Sequence, residues 1–320
     1  MLFPSKYKKS VDTALEILAV EDELWINYSA GINHQWNLSR SRKPPRYKGL
    51  LLQLARMFLF VFSKTSFVKQ QIASTDTIFF VETANQWSAL SSTVSSLHDK
   101  GDDVLVLVDD SSADVSTYNN KNLITNVRFS PDIVFIGLIL LLKRFAWLYK
   151  KLKHTDRRLI PERLAGFLSI YFWLAYSLVI FEKNRFKVAI VSNDHNAATR
   201  AFLMAAKSFG VATAYLQHAA VSDRFHALDF DYSFLDGQHS LEIYRCCEAN
   251  CSPTSKKLSN RHIFLTGLKR EMSLNPNLSQ ELVLGMAVKA ADDIIEVQKC
   301  LKVLDQCGVR SVRIRPHPAM

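Results

Sequence analysis

Cysteine is scarce. The 320 residues contain five, Cys246, Cys247, Cys251, Cys300 and Cys307, an odd number that argues against a secreted disulfide framework and for a reducing compartment. Three of them cluster as CCEANC, with His239 and His262 near in sequence. Cys246 and Cys247 are adjacent, however, and lack the spacer of roughly two to four residues that brings two thiolates to one tetrahedral zinc ion. The cluster therefore reads as a reduced helix end or loop, and no metal is expected. The N-terminal MLFPSKYKKS has no apolar core behind its charges, so it does not read as a secretory signal. No aromatic-and-basic module of a known nucleic-acid-binding type is present, so no nucleic-acid partner is expected. Internal repeats and low-complexity segments are likewise missing.

Acidic charge is the minority. Forty Lys and Arg against thirty Asp and Glu give a net charge of +10 and a pI near 9.3, which favours anionic partners such as a phosphorylated substrate or an anionic membrane surface. KYKK (6–9) reads as a solvated face. RSRKPPRYK (40–48) and KRFAWLYKKLK (143–153) flank very apolar stretches, a pattern that fits either a membrane-surface footprint or plain solubility. With 48% hydrophobic and 22% charged residues, the chain has an ordinary globular composition and a length suited to two domains.

One long apolar run is present. Leu164 to Phe181, LAGFLSIYFWLAYSLVIF, is 18 residues without a charge, the lower limit for a bilayer span. It carries Ser169, Ser177, tyrosines and a tryptophan, and it leads straight towards a strand. A helix held between a sheet and its neighbours, or dipping into the membrane interface, accounts for it better than a span. GLLLQLARMFLFVF (49–62) has helical apolar spacing and either caps the sheet or rests on a membrane.

Short apolar, β-branched runs recur at 77–83, 103–110, 187–194, 211–218, 262–267, 282–288 and 309–316, with helix-length segments between most of them. This predicts an α/β protein whose parallel sheet is covered on both faces. Helices are expected over about Gln86 to His98, and from Ala197 to Phe209, where Gly210 closes the second. The polar stretch 268–281 reads as a linker. Beyond it, a strand, a helix with Ile294, Val297, Leu301 and Leu304 on one face, and a second strand read as the first βαβ unit of another Rossmann-like domain. The expected division is 1–267 for a first domain with apolar helices and 268–320 for the beginning of a second, incomplete as given.

In open α/β sheets, ligands bind beyond the carboxyl ends of the strands. Those ends carry Glu82, Asp109 and Asp110, Asn193 to His195, Gln217 and His218, and Arg315 to His317. In VRIRPHPAM, side-chain alternation puts Arg313, Arg315 and His317 on one side of the last strand. Pro316 ends that strand and Pro318 suits the start of a helix. Positive groups beside free backbone N–H groups suit a phosphate.

YLQHAAVSD (215–223), DFDYSFLDGQHSLEIY (229–244), HIFLTGLKR (262–270) and RIRPHP (313–318), taken as an ordered set, resemble bacterial surface-polysaccharide glycosyltransferases of the capsule and teichoic-acid type. The resemblance spans roughly Lys187 to Pro318 and implies a GT-B fold of two Rossmann-like domains. It implies that Gln217 and His218 lie near the acceptor, at a corner where the family has glycine and this chain has Ala219. It also implies that Arg315, His317 and Pro318 form the element that contacts the donor phosphates. Transfer at an anomeric carbon needs a base for the incoming hydroxyl and charge stabilisation for the departing nucleotide. His218 and Asp194 are the candidate bases, with Arg313, Arg315 and His317 on the donor phosphate. Asp194 also suits a helix N-cap, His218 a structural hydrogen bond, and His195 a first-turn helix position.

The expected activity is metal-independent transfer of a sugar or polyol phosphate from a nucleotide-activated donor to a polysaccharide or lipid-linked acceptor. It would take place at the cytoplasmic face of the membrane, with peripheral membrane contact and no cofactor. DFD (229–231) matches a metal-binding Asp-x-Asp pattern but precedes an apolar strand, so Asp231 reads as a strand start. A sugar-nucleotide epimerase of the same architecture and a non-catalytic membrane-associated assembly protein remain open alternatives.

Overall fold

The computed structural model describes residues 7–21, 49–67, 72, 75–109, 123–155, 157, 159–194, 196–222, 225, 227–249, 262–267, 283–288, 294–309 and 311–316. The chain divides into two compact units, Met1–Lys269 and Arg270–Met320. The predicted linker 268–281 lies outside the described residues.

The first unit holds β1 (Thr77–Val81), β2 (Val104–Val108), β3 (Ile124–Asn126), β4 (Val188–Val191), β5 (Ala212–Leu216), β6 (Tyr232–Leu235) and β7 (His262–Leu265). They form one sheet in the order β3-β2-β1-β4-β5-β6-β7, and every pair is parallel. Thr77 pairs with both Val104 and Val188, and Val188 with Ala212, so the central strands start level and their carboxyl ends form one edge. The chain winds outward from β1 to β3, then returns to β4 beside β1 and winds the other way. The topological switch thus falls between β1 and β4, where an open parallel sheet leaves a crevice.

The helices of this unit are α1 (Lys8–Val20), α2 (Leu50–Lys64), α3 (Ala84–Asp99), α4 (Pro131–Thr155), α5 (Leu159–Lys183), α6 (Ala197–Ser208) and α7 (Gln238–Ala249). On one face α3 buries Trp87, Leu90 and Val94 against Phe79, Val81, Val106 and Val108. The other helices share the larger core on the opposite face with Ile78, Phe80, Leu107 and Val191. Burial on both faces is why the central strands read as unbroken apolar runs.

The apolar run Leu164–Phe181 lies in α5, which is buried throughout 170–181 among α1, α2, α4 and α6. By length and composition Arg163–Lys183 is apolar enough to cross a membrane, yet 83% of its most apolar window is buried inside the protein. Trp173 is the hub of its packing, in contact with the rings of Phe60, Phe80, Phe129 and Tyr176. Gln53 of α2, fully buried, ties the helix start in place. Its Nε2 donates to Pro161 O at 3.0 Å, and its Oε1 accepts from Ala165 N at 3.2 Å.

The approach of α4 to α5 depends on Gly137. A Cβ there would stand 2.5 Å from Cδ1 of Phe172, a ring with no exposed surface. Alanine gains about 1 kcal/mol over glycine in a helix interior, but an overpacked core costs roughly 1–3 kcal/mol. The ring has nowhere to move, so the second effect wins. Gly137→Ala is expected to lower stability by up to about 2 kcal/mol, read as a lower urea midpoint at unchanged slope.

The second unit contains β8 (Val283–Val288), α8 (Ile294–Gln306) and β9 (Ser311–Pro316), with β8 and β9 parallel. Val297, Leu301 and Leu304 are half-buried on α8, as their spacing predicts, and the side chain of Ile294 lies outside the described residues. Gly308, at φ 80°, ends the helix in a conformation that a Cβ disfavours.

Candidate functional site

Parallel pairing gathers the polar residues that follow β1, β2, β4, β5 and β6 at one edge of the sheet. At its centre, on the β1 side of the switch, is Glu82. Its Oε2 accepts from Asn196 Nδ2 at 2.9 Å and from the Thr199 hydroxyl, both at the start of α6. Its backbone N–H donates to Gln86 Oε1 at 2.7 Å, fixing the turn from β1 into α3, where Thr83 is the N-cap. Enclosure pushes the Glu82 carboxyl up to about 7. The Thr199 and Asn196 hydrogen bonds oppose the rise, the Asp109 charge adds to it, and Lys64 opposes it.

Asp109 follows β2. Lys64, the last residue of α2, lies 2.5 Å from both its Oδ1 and its carbonyl oxygen. The same ammonium lies 5.7 Å from the centre of the Trp173 ring, so the aromatic core steers a cation into this edge. Asp110 lies outside the described residues.

Asp194 follows β4 and is buried. Its charge adds to the upward push that burial exerts on the Tyr215 and Tyr244 hydroxyls, which keeps both phenols neutral. Those hydroxyls are hydrogen-bonded at 3.2 Å. The N-cap of α6 is Asn196, not Asp194; the helix begins two residues later than an Asp194 cap requires, and the Asn196 side chain turns to Glu82 instead. His195 lies outside the described residues.

His218 follows β5, next to β4. Its Nδ1 lies 2.5 Å from the carbonyl oxygen of Ser192. A carbonyl only accepts, so Nδ1 carries the proton and Nε2 is the basic nitrogen of the neutral ring. His218 and Asp194, the two candidate bases, thus stand at neighbouring strand ends. Gln217 is committed to structure. Its Nε2 donates to Ala219 O and Ser240 Oγ, each at 3.0 Å, and its Oε1 accepts from Asp236 N at 3.0 Å. These bonds lock the ends of β5 and β6 to the start of α7. No non-glycine residue described has a positive φ, so alanine at position 219 carries no backbone strain.

Asp231 directly precedes β6, and its Oδ2 accepts from Thr213 N at 2.8 Å and Thr213 Oγ1 at 3.0 Å. That is the work of a strand start. Cys246 and Cys247 lie in the last turns of α7, and Cys247 Sγ donates to Ser222 O at 3.4 Å. Among the described residues, no three His, Cys, Asp or Glu side chains are grouped to hold a metal ion. Arg313 and Arg315 belong to the second unit, on β9, opposite Gly285 and Ala287 of β8. His317 lies outside the described residues.

Strand-end position alone picks out Glu82, Asp109, Asp194 and His218. It does not pick out Asn196, Thr199 or Lys64, whose roles depend on contacts between distant parts of the chain. Fold and edge together define a doubly wound α/β protein with an acid–base cluster at its topological switch. Compared with known protein families, with curated proteins and with solved structures, the chain matches none of them.

Proposed function

We propose that this protein is a metal-independent glycosyltransferase of the GT-B type. It moves a sugar or polyol phosphate from a nucleotide-activated donor to a polysaccharide or lipid-linked acceptor at the cytoplasmic face of the membrane. On this reading the second unit opens the nucleotide-donor domain. The observation that carries the proposal is the pairing at the β4 and β5 ends: a histidine whose Nδ1 is committed to a carbonyl, with basic Nε2, beside a buried carboxylate. The sequence resemblance puts the acceptor at that corner.

His218 Nε2 takes the proton of the incoming hydroxyl, and Asp194 supplies negative charge that favours the resulting imidazolium. Arg313, Arg315 and His317 neutralise charge on the departing nucleotide. No cofactor takes part. His317→Ala is expected to abolish donor binding in calorimetry with nucleotide sugars, and unchanged affinity would overturn the phosphate assignment. His218→Asn is expected to leave donor affinity in place while removing transfer.

One observation favours a second reading. Sugar-nucleotide epimerisation needs paired carboxylates, and Glu82 and Asp109 stand at neighbouring strand ends of the same edge. Product analysis with the donor alone separates the two, since an epimerase converts it without an acceptor.

A further inference from the structure

The helix that looks most like a membrane span is buried, and the apolar surface that faces outward belongs to its neighbours. Along α2, Leu51, Phe58, Leu59 and Phe62 recur at helical spacing on an exposed stripe. Leu51 is 83% exposed, Leu59 68% and Phe62 73%. On α4, Leu142 is 78% exposed and Trp147 38%. The two helices are joined end to start, because Ser66 N donates to Phe129 O at 2.9 Å and Phe129 N to Lys64 O at 2.7 Å, just before α4 begins.

Charge says what covers this surface. α2 carries no acidic residue, and α4 carries none after Asp132. From Leu24 to Thr75 the sequence has eight Lys or Arg and not one Asp or Glu. On α4, the Arg144 guanidinium lies 4.3 Å and the Lys151 ammonium 5.9 Å from the centre of the Trp147 ring. An amphipathic indole flanked by cations suits the boundary between headgroups and acyl chains, and an exposed apolar stripe suits the chains themselves.

We infer that α2 and α4 form a docking surface for an anionic lipid bilayer: the α2 stripe inserts among the acyl chains and the α4 cations contact the headgroups, while α5 stays inside the protein. This deepens the membrane-face part of the reading above and does not depend on the transfer chemistry. The absence of acidic side chains from α2, and from α4 after its first turn, favours lipid over a second copy of the chain, whose matching surface would be equally basic.

The test is flotation of the full chain with vesicles of phosphatidylcholine alone, and with vesicles containing roughly a third phosphatidylglycerol, in the absence of donor and acceptor. Binding is expected to the anionic vesicles only and to weaken with salt. Leu59→Glu with Phe62→Glu is expected to weaken it at least about tenfold. Lys143→Gln and Lys151→Gln should each weaken it about fivefold. All four side chains are exposed, so circular dichroism should give an unchanged thermal midpoint; should the α2 pair not fold, Leu142→Glu tests the same surface from α4. Brominated lipid is expected to quench less emission in Trp147→Phe than in the parent. The inference is overturned by failure of the parent chain to float with anionic vesicles, by undiminished binding of the variants, or by a dimer in sedimentation that Leu59→Glu with Phe62→Glu dissolves. None of these results bears on nucleotide binding, which calorimetry reads separately.

Discussion

Arg200→Ala should lower the stability of the first unit by about 3 kcal/mol, towards the lower end of what breaking a buried charge pair costs. Arg200 is only 2% exposed. It sits on α6, with its guanidinium 3.5 Å from Glu21 Oε1 at the end of α1 and 3.9 Å from Asp229 Oδ2 in the segment leading to β6. Lys207, about two turns further along α6, lies 2.5 Å from the same Asp229 oxygen. Burial draws its ammonium below the ordinary lysine value, and Asp229 opposes that drop. The cluster therefore ties α1, α6 and the β6 approach together through two cations and two carboxylates. Alanine at 200 leaves Glu21 without this cation and takes one cation from beside Asp229.

The control decides between lost charge and lost volume. Arg200→Met refills most of the space, so if it destabilises as much as alanine, the charge is responsible. Arg200→Met combined with Glu21→Gln removes the pair together, and such double replacements are often close to neutral. A coupling of about 1–3 kcal/mol in the double-mutant cycle, measured by urea unfolding, is expected. Additivity within about 0.5 kcal/mol would show that the pair does not interact.

The sheet was legible in the sequence for a physical reason that also sets the limit of that legibility. Strands buried on both faces must be apolar throughout, so Thr77–Val81 and Val104–Val108 announce themselves. Ile124–Asn126 does not: three residues at the sheet margin, none of them buried, leave no pattern to read. The α5 run stood out for its lack of charge, whereas its partner α4 did not, because Lys143 and Arg144 cut short its apolar first half and Lys150, Lys151 and Lys153 follow. Residues at strand ends are placed by topology, so Glu82, Asp109, Asp194 and His218 could be found from strand positions alone. What tunes them could not. Asn196 and Thr199 reach Glu82 across more than a hundred residues of chain, and Lys64 reaches Asp109 only because α2 packs against Trp173. Gln217 shows the converse: its place at a strand end suggests chemistry, but its three hydrogen bonds commit it to holding β5, β6 and α7 together.

Glu82→Gln should make the protein more stable above neutral pH and change little in acid. The folded-state carboxyl titrates near 7 and the ordinary glutamate value is 4.5, so between those values the native state holds a proton that the unfolded chain has released. Stability from this group is fully present below about 4.5 and is lost as pH rises through about 7. The difference corresponds to about 3 kcal/mol, an upper bound because part of the side chain still reaches solvent. Glutamine keeps an oxygen for Asn196 and Thr199 and never ionises, so it escapes the loss. Urea midpoints for parent and variant are expected to coincide near pH 4 and to separate towards pH 8, with the variant higher. A gap of constant size across that range would mean that the carboxyl is not held protonated.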